Sequence, residues 1–388
     1  IASVTEELST DLLNELQVSN RLWNDFQEPQ LQETINTLKR CTPLERAYFQ
    51  RFFTFVSKEQ ILSKTGGKND SSNGFAGLWH TPLAEKIESG NILLGLTVTE
   101  KRQSGPGKGY DIIELHIPQQ GEDFLPNFRT GDIIIFYAYQ KEPDVRQQIL
   151  MKGNILDIQA NSLTILLRNG QQNKDIIGGA DEVFAVEHDS SDSSAMNAMR
   201  GLYAFLSART DRKELLLGLR TPGKHPERTL NGSYGRFDEL ILKEKQTDDY
   251  FLLVGPPGTG KTSCALRYMV EEALADPEAS LLLLSYTNRA VDEICSMLVD
   301  SGIAESTPFI RIGSELSCDR RFAPYLLKNN LADCPKLTDI QQKIAHTRIF
   351  TGTTTAINSR LHLFNLKHFT LAIIDEASQI LEPDLVGI

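Results

Sequence analysis

Apolar positions recur every three or four residues at the start of the chain, at Leu8, Leu12 and Leu16 and then at Leu31, Ile35 and Leu38. That spacing predicts helices from about residue 5 to 62, divided by Pro29 and Pro43. The aperiodic KTGGKNDSSNG at 64–74 reads as a flexible loop. From 91 to 186 the pattern shortens to strand-length apolar runs, ILLGLTV, DIIELHI, DIIIFYAY, ILMKGNILDI, SLTILL and VFAV, separated by turn signals. Six such runs without a helical pattern between them predict a small antiparallel barrel, with a half-open sandwich as the alternative. The aromatics of DIIIFYAY fit either the core of that barrel or a stacking surface for bases. Beyond the acidic EHDSSDSSAM, a helical stripe of Met199, Leu202 and Leu206 predicts a helix over 196–206, and RTPGKHPER reads as a linker.

Composition adds little to this picture. The 388 residues are 40% hydrophobic and 23% charged, a globular balance with room for two or three domains. No run approaches the roughly 18 to 20 apolar residues of a membrane helix, and IASVTEELST has neither the basic nor the apolar region of a signal peptide. The expectation is an intracellular protein with no membrane partner, cytoplasmic or, in a eukaryote, nuclear. A net charge of −11 argues against coating nucleic acid by bulk electrostatics but leaves room for a local basic track. Residues 209–228, with Arg209, Arg212, Lys213, Arg220, Lys224 and Arg228, are either such a track or a solvated helix face. The five cysteines, Cys41, Cys264, Cys295, Cys318 and Cys334, are scattered and read as reduced thiols, although Cys295, Cys318, Cys334 and His346 could in principle share a zinc.

The chemistry lies in the last third of the chain. In YFLLVGPPGTGKTSCALRYMVEEAL an apolar run at 251–254, expected to be a strand, meets a Gly-rich turn that opens into a helix. Glycines let successive backbone N–H groups converge on a phosphate, and the helix N-terminus adds its positive dipole end. The expected triphosphate cradle is Gly255, Pro256, Pro257, Gly258, Thr259, Gly260, Lys261, Thr262 and Ser263. Lys261 would reach the β- and γ-phosphates, and Thr262 would ligate magnesium. The run FTLAIIDEASQ ends a second strand in Asp375, the expected magnesium acid, and Glu376, the expected base or orienting group for the attacking water. The catalytic set is therefore Lys261, Asp375 and Glu376, with ATP and Mg2+ as cofactors. Two further strand ends, SYTNRAVDEI and TGTTTA, carry hydroxyls and amides of the kind that grip a phosphodiester backbone without reading bases.

GPPGTGKT, SYTNRAVDEI, TGTTTA and IIDEASQ, in this order, resemble motifs I, Ia, Ic and II of the superfamily 1 helicases, in the DNA2/NAM7-like form of senataxin and the nonsense-mediated-decay helicase. The resemblance implies an α/β fold in which a RecA-like P-loop NTPase domain with a parallel sheet follows a small antiparallel β-barrel flanked by stalk helices. The corresponding segments are a helical stalk at 1–85, a barrel at 86–190, a stalk helix and linker at 191–228, and a first RecA-like domain at 229–388. It further implies an ATP-dependent translocase or helicase on single-stranded nucleic acid, DNA favoured over RNA, with Thr287, Asn288, Thr353 and Thr355 on backbone phosphates. The chain departs from the family in one motif, for LNGSY puts Tyr234 near the place of a glutamine that recognises adenine, which leaves the base selectivity open. It also reaches Ile388 just past motif II, so a second RecA-like domain is expected outside these residues. An arginine finger in that domain, worth roughly 10³ to 10⁵ in rate, would leave these residues binding ATP better than they hydrolyse it. The alternative is a P-loop switch or assembly ATPase that binds no nucleic acid.

Overall fold

The computed structural model describes residues 28–65, 76–120, 126–179, 181–189, 193–256 and 258–388. The helical positions Leu8, Leu12 and Leu16, most of the loop at 64–74 and Pro257 of the phosphate loop lie outside them. By internal contacts the chain divides into two units, Ser57–Ser193 and, jointly, Ile1–Val56 with Ser194–Ile388.

Both prolines of the N-terminal run start helices. Pro29 occupies the first turn of α1 (Glu28–Arg40) and Pro43 opens α2 (Pro43–Thr65), where the missing N–H would be unpaired anyway. Thr42 and Glu45 form a reciprocal cap ahead of α2, Thr42 N–H donating to the Glu45 carboxylate at 2.9 Å and Glu45 N–H to Thr42 Oγ1 at 3.3 Å. Tyr48, Phe49, Phe52 and Phe53 of α2 then pack with Leu202, Phe205 and Leu206. Those three come from α5 (Ser193–Ser207), the helix expected over 196–206.

In the unit Ser57–Ser193, two short helices, α3 (Ala76–His80) and α4 (Leu83–Glu88), precede six strands. These are β1 (Ile92–Arg102), β2 (Tyr110–His116), β3 (Ile133–Tyr139), β4 (Met151–Ile158), β5 (Ser162–Gln171) and β6 (Val183–His188). Each expected run is a strand. They close into a barrel in the order β1-β2-β5-β4-β3-β6, with β6 pairing back onto β1, and every pairing is antiparallel. Closure excludes the half-open sandwich. Alternation supplies the interior: Ile113 and Leu115 of β2 and Leu163, Ile165 and Leu167 of β5 all point inward, beside Leu96, Phe136 and Phe184. Phe136 and Tyr137 of DIIIFYAY are fully buried, which makes those aromatics core and not a base-stacking surface. On the outer wall, Tyr137 packs with Leu78, Ile92 and Val145, and its hydroxyl donates to buried Glu187 at 2.5 Å, where Lys86 also ends at 2.5 Å.

The last domain holds a four-stranded parallel sheet, β7 (Leu281–Ser285), β8 (Phe309–Ile312), β9 (Ile349–Thr353) and β10 (Leu371–Ile374), in the order β10-β7-β9-β8. α6 (Thr210–Leu216) and α7 (Asp238–Lys245) precede this sheet, and α8 (Arg267–Leu274) follows the phosphate loop. α9 (Asn288–Asp300) and α10 (Leu337–His346) connect the strands, and α11 (Thr354–Asn358) follows β9. β7 and β9 are buried along their whole length, as a sheet covered on both faces requires. Apolar clusters line both faces: Leu281 and Leu283 meet Val291, Ile294 and Leu298 of α9, and Leu282 and Leu284 meet Ile344 of α10 and Ile357 of α11.

One expectation fails in this domain. Residues 251–254 ahead of the phosphate loop are not a strand, and Leu252 and Val254 are 78% and 94% exposed. A buried parallel strand needs a ladder, and among the described residues β10 pairs with β7 alone, its other side left unpaired by 251–254.

Candidate functional site

The glycines of the phosphate loop have separate jobs. Gly258 and Gly260 sit at φ 77° and 84°, a region that side chains disfavour, while a Cβ on Gly255 would come within 3.0 Å of Thr259 Oγ1. Thr259 Oγ1 donates to Pro256 O at 2.8 Å, and Lys261 Nζ donates to Pro256 O at 3.1 Å and to Gly255 O, so the lysine lies folded over its own loop. From Lys261 to Leu266 the backbone is π-helical before α8 begins, a widening that recurs at functional sites. Ser263 is exposed on this first turn.

Thr262 and Asp375, 113 residues apart, meet: Thr262 Oγ1 donates to Asp375 Oδ2 at 2.7 Å. Asp375 stands at the carboxyl end of β10, its N–H donating to Leu284 O of β7 at 2.8 Å. That end of a parallel sheet is where open α/β folds bind ligands. A threonine hydroxyl and a carboxylate side by side are hard oxygen donors that fit a magnesium ion. Glu376 follows at φ 55°, the one non-glycine residue with positive φ among those described, and its carboxylate is exposed. Such a backbone costs on the order of 1–3 kcal/mol and collects at active sites. Its N–H donates to Asp375 Oδ1 at 3.0 Å, which fixes the neighbouring carboxylate.

The expected nucleic-acid residues fall on neighbouring strand ends, because Ser285 of β7 pairs in register with Thr353 of β9. Thr287 caps α9 by accepting from Ala290 N–H at 3.1 Å, and Thr353 caps α11 by accepting from Ala356 N–H at 3.1 Å. Asn288 and Thr355, one and two residues on from these caps, are exposed.

Five of the six cations of the track at 209–228 are paired within their own unit. Arg212 and Arg220 pair with Asp249, Arg228 with Asp248, Arg209 with Asp211 and Lys213 with Glu45. No group of three or more metal-ligating side chains able to hold an ion occurs among the described residues, and Cys295 is fully buried.

Sequence reasoning missed Glu272. This α8 carboxylate, 3% exposed, accepts from Asn231 N–H at 2.9 Å, Gly232 N–H at 3.1 Å, Tyr234 Oη at 2.7 Å and Lys245 Nζ at 2.5 Å. Burial pushes its carboxyl up, but the bonds from Lys245, Tyr234, Asn231 and Gly232 outweigh burial and hold it below its ordinary value. Its spacing was the available signal: Leu266, Met269 and Glu272 fall on one helical stripe, and the first two are core.

The family described as AAA domain (AAA_11) matches residues 238–348. The DNA replication ATP-dependent helicase/nuclease JHS1 of Arabidopsis thaliana is 36% identical over 149 residues, 38% of this chain and 10% of that protein. The DNA replication ATP-dependent helicase/nuclease DNA2 of Mus musculus is 26% identical over 353 residues, 84% of this chain and 31% of that protein. These likenesses support the resemblance to the DNA2/NAM7-like superfamily 1 helicases. The barrel followed by a RecA-like sheet is the architecture that the resemblance to this group implies. The RNA helicase Mov10l1 of Homo sapiens is 29% identical over 136 residues, 34% of this chain and 11% of that protein. The chain spans about a third or less of the length of these curated relatives. No helix among its described residues is long and apolar enough to cross a membrane.

Proposed function

We propose that this chain carries the barrel and the first motor domain of an ATP-driven helicase or translocase on single-stranded nucleic acid. The observation that carries the reading is the Thr262–Asp375 hydrogen bond, which joins the helix of the phosphate loop to the acid at the end of β10. On this reading the loop amides and Lys261 bind the β- and γ-phosphates, the lysine exchanging its bonds to Gly255 O and Pro256 O for phosphate oxygens. Thr262 and Asp375 would hold magnesium, which when bound neutralises charge developing on the phosphates. Glu376 would orient the attacking water and take its proton.

Thr287, Asn288, Thr353 and Thr355 would grip the strand. With the Thr287 and Thr353 hydroxyls engaged as caps, the grip falls to the free N–H groups and dipoles at the starts of α9 and α11, with Asn288 and Thr355 beside them. DNA is the favoured strand, supported by DNA replication relatives that align over most of the chain. The capping bonds also favour a second reading, a switch ATPase in which those threonines are structural only. Fluorescence anisotropy of labelled single-stranded DNA and RNA, at low and physiological salt, separates the two. Binding that weakens with salt supports the motor, and no binding by a chain that holds nucleotide supports the switch. Lys261→Ala is expected to abolish nucleotide binding, and equal ATP affinity in variant and wild type would overturn the site.

A further inference from the structure

The positive φ of Glu376, 55°, has to be enforced, because such a backbone persists only where its surroundings over-determine it. Upstream the sheet does this, Asp375 N–H donating to Leu284 O at 2.8 Å. Downstream the chain forms a hydrogen-bonded strut that ends in a short helix, α12 (Glu382–Leu385). Gln379 N–H donates to Glu376 O at 3.0 Å and Ile380 N–H to Ala377 O at 3.1 Å. Asp384 N–H then donates to Leu381 O and Val386 N–H to Glu382 O, both at 2.9 Å.

The far end of the strut is gripped by three other helices. The Tyr48 hydroxyl of α2 donates to the Glu382 carboxylate at 2.7 Å. The side-chain amide of Asn358, the last residue of α11 and 2% exposed, donates to Asp384 O. Gly201 of α5 lies directly against backbone. A Cβ there would meet Pro383 O at 3.2 Å and Gly387 N at 3.4 Å, and a Cβ on Gly387 would run into Gly201 Cα. Val386 packs with Leu202, Phe205 and Leu206 of α5.

We propose that this grip holds Glu376 in its strained backbone, which makes Tyr48, Gly201 and Asn358 positioning residues for the carboxylate that acts on water. The inference rests on the role given to Glu376 above. With the far end of the strut released, residue 376 relaxes to the negative φ that side chains prefer, and its Cα–Cβ bond swings the carboxylate away from the γ-phosphate. Nucleotide affinity stays, because the phosphate loop and the Thr262–Asp375 pair are held independently of the grip.

The test is a double-mutant cycle on the full 388-residue chain, read by thermal melting. Glycine takes positive φ without strain, so Glu376→Gly removes whatever strain the grip maintains. Its effect on melting temperature should be more favourable in the wild type than in Tyr48→Phe or Gly201→Ala, by on the order of 2 °C. The entropy that glycine adds to the unfolded chain is the same in every background and cancels. A merely structural grip lowers the melting temperature of Tyr48→Phe and Gly201→Ala but leaves the Glu376→Gly increment unchanged, and that result overturns the inference. In single-turnover hydrolysis, Tyr48→Phe should be roughly tenfold slower while binding a fluorescent ATP analogue within about twofold of wild type. Unchanged hydrolysis, or an affinity loss as large as the rate loss, overturns the inference as well. A wild type that binds no nucleotide overturns the phosphate-site reading instead, and the melting cycle still decides the grip.

Discussion

Replacing Glu244 with glutamine should stabilise the protein at high pH and do nothing at low pH. Glu244 lies on α7, and burial, then the charge of Glu272, push its carboxyl up to about 7 from 4.5, while Lys245 and Arg228 only partly offset them. Between those two values the folded chain holds a proton that the unfolded chain has released, so stability falls as pH rises through that window. A carboxyl held at about 7 in place of 4.5 amounts to about 3 kcal/mol lost by pH 8 relative to pH 4.5. Glu244→Gln has no proton to lose. Urea unfolding of both proteins at pH 5, 6, 7 and 8 should show a stability difference that grows steadily in favour of the variant. A difference that stays flat across the series would refute the reasoning. A difference that grows in the opposite direction would mean that Lys245 and Arg228 dominate the site.

The other predictions follow from buried charges and from exposure. Arg311, fully buried, pairs with Asp292 at 2.9 Å and donates to Ser317 O at 3.0 Å, so Asp292→Ala should cost roughly 3–5 kcal/mol by stranding a buried cation. Arg311→Met, which removes the charge along with its partner's task, should cost clearly less in the same thermal-melting series. Leu252→Ser and Val254→Ser should each change stability by no more than about 0.5 kcal/mol, because both side chains already face solvent. A loss of several kcal/mol at either would mean that residues 251–254 are buried after all.

What could be read in advance follows the range of the interactions. The strands of the barrel were legible because alternation is local: Ile113 and Leu115 of β2 and Leu163, Ile165 and Leu167 of β5 point inward at every second position, and all are apolar. The number of runs favoured a barrel, but the runs left a half-open sandwich as the alternative, since closure of β6 onto β1 joins residues about ninety positions apart that carry no mutual signal. The phosphate loop and the Asp375–Glu376 pair were legible as motifs, but 251–254 was misjudged. Its apolar run says strand, but the run does not pair with the free side of β10. The basic residues at 209–228 stayed open between a track and a solvated face because Asp248 and Asp249, which pair with Arg212, Arg220 and Arg228, lie twenty or more residues downstream. Glu272 escaped notice because a glutamate in MVEEAL reads as a solvated position until its three partners and a lysine are seen around it.

The unpaired side of β10 has a consequence for the protein in the test tube. Among the described residues the outer backbone of Leu371–Ile374 is unpaired and apolar at every position, a template for a foreign strand, and the exposed Leu252 and Val254 add adhesive side chains in the same domain. The barrel, closed upon itself, offers no comparable rim. Concentrated solutions of this chain should therefore cloud through its RecA-like domain, and a peptide able to pair with β10 should keep them clear.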